Sequence, residues 1–141
     1  MSKDSVRTPL FLLQRIQKDY FGSAVLFDPT PYVAVFDEKI HTNGLKIDWS
    51  ENCFCNCPYS KASAFVTKAC EQFLKHGIKI VMLVKVSTLA THYFQKIQEH
   101  CKIKIFNERI QFPTFRHKAR FDSCLLLFGF NDEPKFEVIQ L

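Results

Sequence analysis

A chain of 141 residues, 47% hydrophobic and 23% charged, is long enough to bury a core of its own as a single domain over residues 1–141. Its formal charge of +5 and pI of about 8.9 suit a polyanionic partner without requiring one. No apolar run approaches the roughly 18 to 20 residues needed to span a bilayer, and Met1 to Arg7 is short and polar, so membrane insertion and secretion are not expected, nor are disulfides among the six cysteines.

Thr8-Pro9 opens the first predicted helix, with Thr8 suited to the N-cap and Pro9 to the first helical position. Leu10, Leu13, Ile16 and Tyr20 recur at helical spacing, and Phe21-Gly22-Ser23 ends the run. Ala24 to Phe27 reads as a short strand covered on both faces. It stops at Asp28-Pro29-Thr30-Pro31, where Asp28 either receives a ligand's amine or hydroxyls or simply caps a turn. Tyr32 to Phe36 is a strand or irregular, Asn43-Gly44 is a turn, and Leu45 to Trp49 is a short strand or a lead-in. Trp49 is expected to pack, with its indole N–H finding a partner.

Cys53 to Cys55 is a short buried strand, halted by Asn56-Cys57-Pro58-Tyr59 because proline removes a ladder donor. Ser60 then caps a helix to about Lys75, patterned by Ala62, Phe65, Val66, Ala69, Phe73 and Leu74 and closed by Gly77. Ile78 to Val86 is a buried strand. Ser87 or Thr88 caps a helix to about His100, packing through Leu89, Tyr93, Phe94 and Ile97. Cys101-Lys102-Ile103-Lys104-Ile105 alternates strictly, as a half-exposed or edge strand guarded by its lysines. A basic loop follows, and then the buried strand Ser123 to Phe130. The tail carries Phe136, Val138 and Ile139 on a candidate edge strand. The order predicts an α/β sandwich with a mostly parallel sheet.

Cys53, Cys55 and Cys57 alternate along one strand, so all three point to one face. Zinc sites use wider, turn-forming spacing, and no histidine pair completes one here. These cysteines are therefore expected to act as small buried apolar residues, and no metal is expected.

The stretch from Asp48 to Ser60 displays an amide, a bend and an aromatic ring at the C-terminal end of a strand, where open α/β sheets bind ligands. Asn56-Cys57-Pro58-Tyr59 resembles the Asn-Pro-Pro-Tyr catalytic motif of amino-group methyltransferases that modify adenine, with Cys57 in place of the first proline. Thr8-Pro9, Phe27-Asp28-Pro29, Asp48-Trp49, this tetrapeptide, Ser87-Thr88, Tyr93-Phe94 and Glu108-Arg109-Ile110-Gln111-Phe112 stand around it in order. Their order and spacing resemble the small phage-type DNA N6-adenine methyltransferases, the Dam-like family, from about Val6 to Phe130.

The resemblance implies a compact Rossmann-like fold, helices on both faces of the sheet, that binds S-adenosylmethionine. Thr8, Pro9, Asp28, Pro29 and Asp48 would line the cofactor pocket, and Asn56, Cys57, Pro58 and Tyr59 would form the catalytic loop. The exocyclic amine of adenine is a poor nucleophile because its lone pair is delocalised. Two acceptors aimed at its hydrogens, the Asn56 side-chain carbonyl and the Cys57 backbone carbonyl, would favour the reactive form. Tyr59 would stack on a base flipped out of the duplex. Arg109, Arg116, His117, Lys118 and Arg120 are candidates for phosphate contact, or else a solvated loop. DNA is the implied partner. RNA or the N4 amine of cytosine stays open, as does a homo-oligomer or a partner subunit. Cys57 and the glycine-free Asp28 to Pro31 loop leave a second reading: a weak or inactive nucleic-acid-binding subunit on the same scaffold. The expected compartment is the cytoplasm, or a host cytoplasm or nucleus if the protein is viral.

Overall fold

The computed structural model describes residues 7–22, 27–30, 43–113 and 115–141. The predicted strand residues Ala24 to Leu26 and the segment Tyr32 to Phe36 lie outside them. The sheet has five strands: β1 (Cys53–Cys55), β2 (Ile80–Lys85), β3 (Cys101–Phe106), β4 (Ser123–Phe128) and β5 (Phe136–Ile139), in the order β1-β2-β4-β3-β5. Phe27 adds a parallel bridge to Cys53 at the β1 edge.

The expected mostly parallel sheet is a mixed one. β1 pairs with β2, and β3 with β5, in parallel, while β4 is antiparallel to both β2 and β3. The cause is the connection after β3. No helix follows it to carry the chain across a face, so the chain returns through a loop and enters between β2 and β3 reversed.

Helices cover both faces. Residue alternation along β1, β2 and β4 sends Cys53, Cys55, Ile80, Met82, Val84, Cys124, Leu126 and Phe128 to one side. There they pack on α2 (Ala62–His76) through Phe65, Val66, Ala69 and Cys70, and on α3 (His92–Ile97) through Phe94 and Ile97. Phe54, Val81, Leu83, Leu125 and Leu127 face the other side, against Leu12 and Ile16 of α1 (Leu10–Phe21) and the loop residues Ile110 and Phe112. Each fully buried aliphatic or aromatic side chain contributes about 1.5 to 3 kcal/mol. All six cysteines are free thiols buried in these layers, and Cys53, Cys55 and Cys57 share the α2 side as their alternation requires.

Several boundaries move for local reasons. Pro9, not Thr8, is the N-cap of α1, because its carbonyl accepts from Leu12 and Leu13 and no side chain caps the helix. Leu45 to Trp49 forms no strand: Gly44–Lys46 is a 3₁₀ turn capped by Asn43. A second such turn, Tyr59–Lys61, displaces the start of α2 from Ser60 to Ala62. The helix expected over 87–100 is split into a 3₁₀ segment (Val86–Ala90), α3 and a last turn (Gln98–His100), with Thr91 capping α3 through Phe94 N at 3.2 Å. Gly77 ends α2 in the left-handed region at φ 65°, as expected of a terminating glycine. Trp49 is fully buried, stacks on Phe65 and donates its indole N–H to the Gly44 carbonyl at 2.9 Å.

β3 is not an edge strand. β5 covers it and is itself the edge, exposing Phe136 and Val138. Lys104 is therefore buried, its ammonium held by Glu133 at 2.8 Å and by Glu137 of β5. Burial acts to lower the Lys104 pKa, but these two carboxylates outweigh it and raise it. Among the described residues no helix is long and apolar enough to cross a membrane.

Candidate active site

At the C-terminal end of β1 three segments of chain meet. The Asn56 side chain donates from Nδ2 to the Thr8 hydroxyl at 3.0 Å, which draws the residue just before α1 onto the strand end. The Asn56 backbone carbonyl accepts from the Thr30 hydroxyl at 3.2 Å, and that hydroxyl also lies 3.4 Å from Cys55 Sγ. Thr30 is set by Asp28, whose Oδ1 accepts from Thr30 N at 2.8 Å in a local turn. Phe27 completes the seam, donating to the Asn52 carbonyl and accepting from Phe54 N. Thr8, Asp28, Thr30 and Asn56 thus form one polar cluster, with Pro9 and Pro29 buried beneath it.

The Asp28 loop is supported from below by Gly44, where any Cβ would collide with the Pro29 carbonyl oxygen. The Asp28 carboxyl is raised above the usual carboxylate value by desolvation, which outweighs the Thr30 hydrogen bonds that lower it. Cys55 Sγ is raised well above an ordinary thiol, first by burial and then by its contact with Cys57. The Cys55 thiol is therefore a protonated packing group at neutral pH rather than a nucleophile.

The loop then turns. Pro58, at φ −58° and ψ 135°, leads into the 3₁₀ turn that carries Tyr59. The Tyr59 ring meets Phe121 edge to face at 5.2 Å, and the Lys85 ammonium lies over both rings, 4.3 Å from Tyr59 and 4.6 Å from Phe121. A cavity of about 230 Å³ opens beside Tyr59 and Lys85, bounded by Cys57 and by Ser87, Thr88 and Thr91 beyond the end of β2.

The basic loop reaches this corner through its apolar residues. Ile110, Phe112 and Ala119 are buried against the sheet, and Ala119 N donates to the Ile110 carbonyl at 2.9 Å. Phe112 and Phe121 pack at 6.1 Å, carrying the loop to Tyr59. Arg116, His117, Lys118 and Arg120 are exposed on its outside. Lys118 pairs with Glu108 at 3.7 Å and Arg109 with Asp122 at 3.5 Å, whereas Arg116 and Arg120 make no ion pair among the described residues.

Asp48 does not join the cluster. Its carboxylate pairs with Lys75 and approaches His76 at the C-terminal end of α2. That helix starts beside Tyr59 and runs 15 residues, about 22 Å, away from it. The reason is that Asp48 precedes β1 whereas Asn56 follows it, so the strand lies between them.

Thr30, Lys85 and Phe121 belong to this region, and sequence reasoning did not single them out. Thr30 carried a signal in the Asp28-Pro29-Thr30 turn, and Lys85 in being the one charge that ends an apolar strand. Phe121 lies 62 positions from Tyr59, and no local pattern points to their contact.

The donor set of the polar cluster suits the hydroxyls and amine of a nucleoside: a carboxylate, two hydroxyls and an amide. A family model described as DNA N-6-adenine-methyltransferase (Dam) matches residues 1–125. No curated protein and no solved structure matches the chain.

Proposed function

The chain belongs to the DNA N-6-adenine-methyltransferase (Dam) family, and from that premise we propose that it is a Rossmann-like methyltransferase that moves a methyl group from S-adenosylmethionine to the N6 amine of adenine in DNA. The observation that carries the reading is the convergence at Asn56. Its amide is tied to Thr8, and its backbone is tied through Thr30 to the Asp28 loop. The cofactor when bound would supply an electrophilic methyl. Thr8, Asp28 and Thr30 would hold its adenosyl part, with Pro9 and Pro29 as the floor.

The chain's own contribution is positioning. Asn56 offers a side-chain carbonyl and Cys57 a backbone carbonyl to the two hydrogens of the substrate amine, which stabilises the charge that develops on nitrogen. Tyr59, set edge to face against Phe121, offers a ring to the flipped base. The cavity beside Tyr59 is smaller than the roughly 300 Å³ at which pockets for drug-sized ligands begin, so it suits a base rather than a whole cofactor. Arg116 and Arg120 are the loop charges best placed for the DNA backbone, because nothing else among the described residues neutralises them.

The test is transfer of tritiated methyl to unmethylated DNA, with digestion to identify N6-methyladenine and with Asn56→Ala as the control. Loss of one stabilising acceptor lowers turnover by roughly 100- to 1,000-fold. Incorporation by the wild type no greater than that of the folded Asn56→Ala protein overturns the reading.

A further inference from the structure

We propose that Lys85 is a phosphate-binding residue for the target nucleotide, held between Tyr59 and Phe121 until the base takes its place. This rests on the adenine-methylation reading above and adds a residue and a ligand group to it. The two rings are nearly perpendicular, at 80°, and the ammonium lies over both, so it occupies the corner that their faces form. A base stacking on that face of Tyr59 needs the same space. Base entry and the present position of Lys85 exclude one another.

Among the described residues the displaced ammonium has no carboxylate partner to return to. In the sheet register Lys85 sits opposite Ser123, so the adjacent Asp122 is the nearest acid along the chain. Asp122 is paired instead with Arg109, and its backbone carbonyl accepts from Val86 N. Among the described residues Lys85 is the one charged residue lining the cavity, whose wall also includes Ser87 and Thr88. A cation held by π faces with no carboxylate beside it is open to an anion that approaches it. The anion that arrives together with a flipped base is that nucleotide's own phosphate. Lys85 thereby links extrusion of the base to capture of the backbone that carries it.

The probes are deoxyadenosine and deoxyadenosine 5′-monophosphate, titrated by NMR into the full chain with S-adenosylhomocysteine saturating, so that the cofactor's own adenosine site is already filled. The wild type is expected to bind the monophosphate roughly tenfold more tightly than the nucleoside, as one charge-assisted contact provides. The preference should weaken with added salt. Lys85→Met, which keeps an unbranched apolar stem, is expected to bind both equally, and Lys85→Arg to restore the preference. Lys85→Met that keeps the wild-type preference overturns the proposal while leaving the methyltransferase reading intact. So does a loss confined to S-adenosylhomocysteine affinity, which would assign Lys85 to the cofactor carboxylate. If neither nucleoside nor nucleotide perturbs Tyr59, the base site itself is misplaced and both readings fall.

Discussion

Asn56 Nδ2 donates to the Thr8 hydroxyl at 3.0 Å, a bond between residues 48 positions apart in the chain. It replaces the helix-capping role that Thr8 would ordinarily take, since α1 is started by the Pro9 carbonyl instead. A donor bond at Nδ2 fixes the plane of the whole amide, and with it the direction of the Oδ1 lone pairs. Thr8 therefore acts on chemistry through Asn56. Thr8→Val keeps the shape and removes the acceptor. It is expected to lower kcat roughly 10- to 100-fold, the cost of a misdirected group, and to raise KM for S-adenosylmethionine as well, because the same hydroxyl would hold the adenosyl part. Thr8→Ser should restore turnover. A Thr8→Val enzyme with unchanged kcat and a raised KM would assign Thr8 to cofactor contact alone.

The basic loop makes a prediction that charge counting does not. Arg116 and Arg120 are exposed without an ion pair among the described residues, whereas Arg109 and Lys118 already share their charge with Asp122 and Glu108. The double variant Arg116→Ala/Arg120→Ala is expected to bind DNA more weakly and to lower the slope of log affinity against log salt by about two. Arg109→Ala and Lys118→Ala should each change the slope by less than one. Equal effects from all four positions would mean that the loop contributes only a diffuse field.

What the sequence made legible and what it hid follow from the range of the interactions. β2 and β4 are continuous apolar runs, and α2 carries an unbroken helical stripe, so local pattern sufficed for them. The Asn56 to Tyr59 turn was legible because proline acts on its immediate neighbours. The direction of β4 was not, because strand pairing is set by what the connecting loop can reach and leaves no mark on the strand's composition. Lys104 misled for the same reason: an alternating lysine looks like an edge guard until the tail supplies Glu133 and Glu137. Asp48 was placed by its likeness to a motif, while Lys75 and His76, which hold it, lie 27 and 28 residues further on.

The buried thiols give stability a defined pH dependence. Burial pushes Cys53 and Cys124 up to about 12 and Cys101 up to about 11, from an ordinary value of 9.0. Above about pH 9 the unfolded chain releases these protons while the folded chain keeps them. The unfolded state then binds fewer protons, so stability falls as pH rises, through a window from about 9 to the folded values. Each such thiol contributes roughly 1.4 kcal/mol per pH unit within it. The urea midpoint is expected to drop steeply between about pH 9 and about pH 10.5, and Cys53→Ala should make the drop shallower. A midpoint that stays level over this range would mean that the thiols ionise in the folded protein.

Cys57 tests how far the departure from Asn-Pro-Pro-Tyr matters. Its side chain is 3% exposed and packs with Cys53 and Cys55 on the α2 side. Its backbone N–H makes no hydrogen bond among the described residues, so a proline there forfeits no donor. No non-glycine residue described has a positive φ, so the negative φ that proline requires is already on the side Cys57 occupies. The following Pro58 independently holds Cys57 out of the helical region, which is why cysteine can present its carbonyl without a ring of its own. Cys57→Pro is therefore expected to fold, with stability within about 1 kcal/mol of the wild type: the stiffer unfolded chain contributes roughly 0.4 to 1 kcal/mol, offset by lost thiol packing. Its kcat should equal or exceed that of the wild type, because the same carbonyl is aimed by a stiffer backbone. Thermal unfolding and the methyl-transfer assay measure the two together. A folded Cys57→Pro protein with lower kcat would show that the thiol contributes to turnover directly, through the cavity wall it shares with Tyr59.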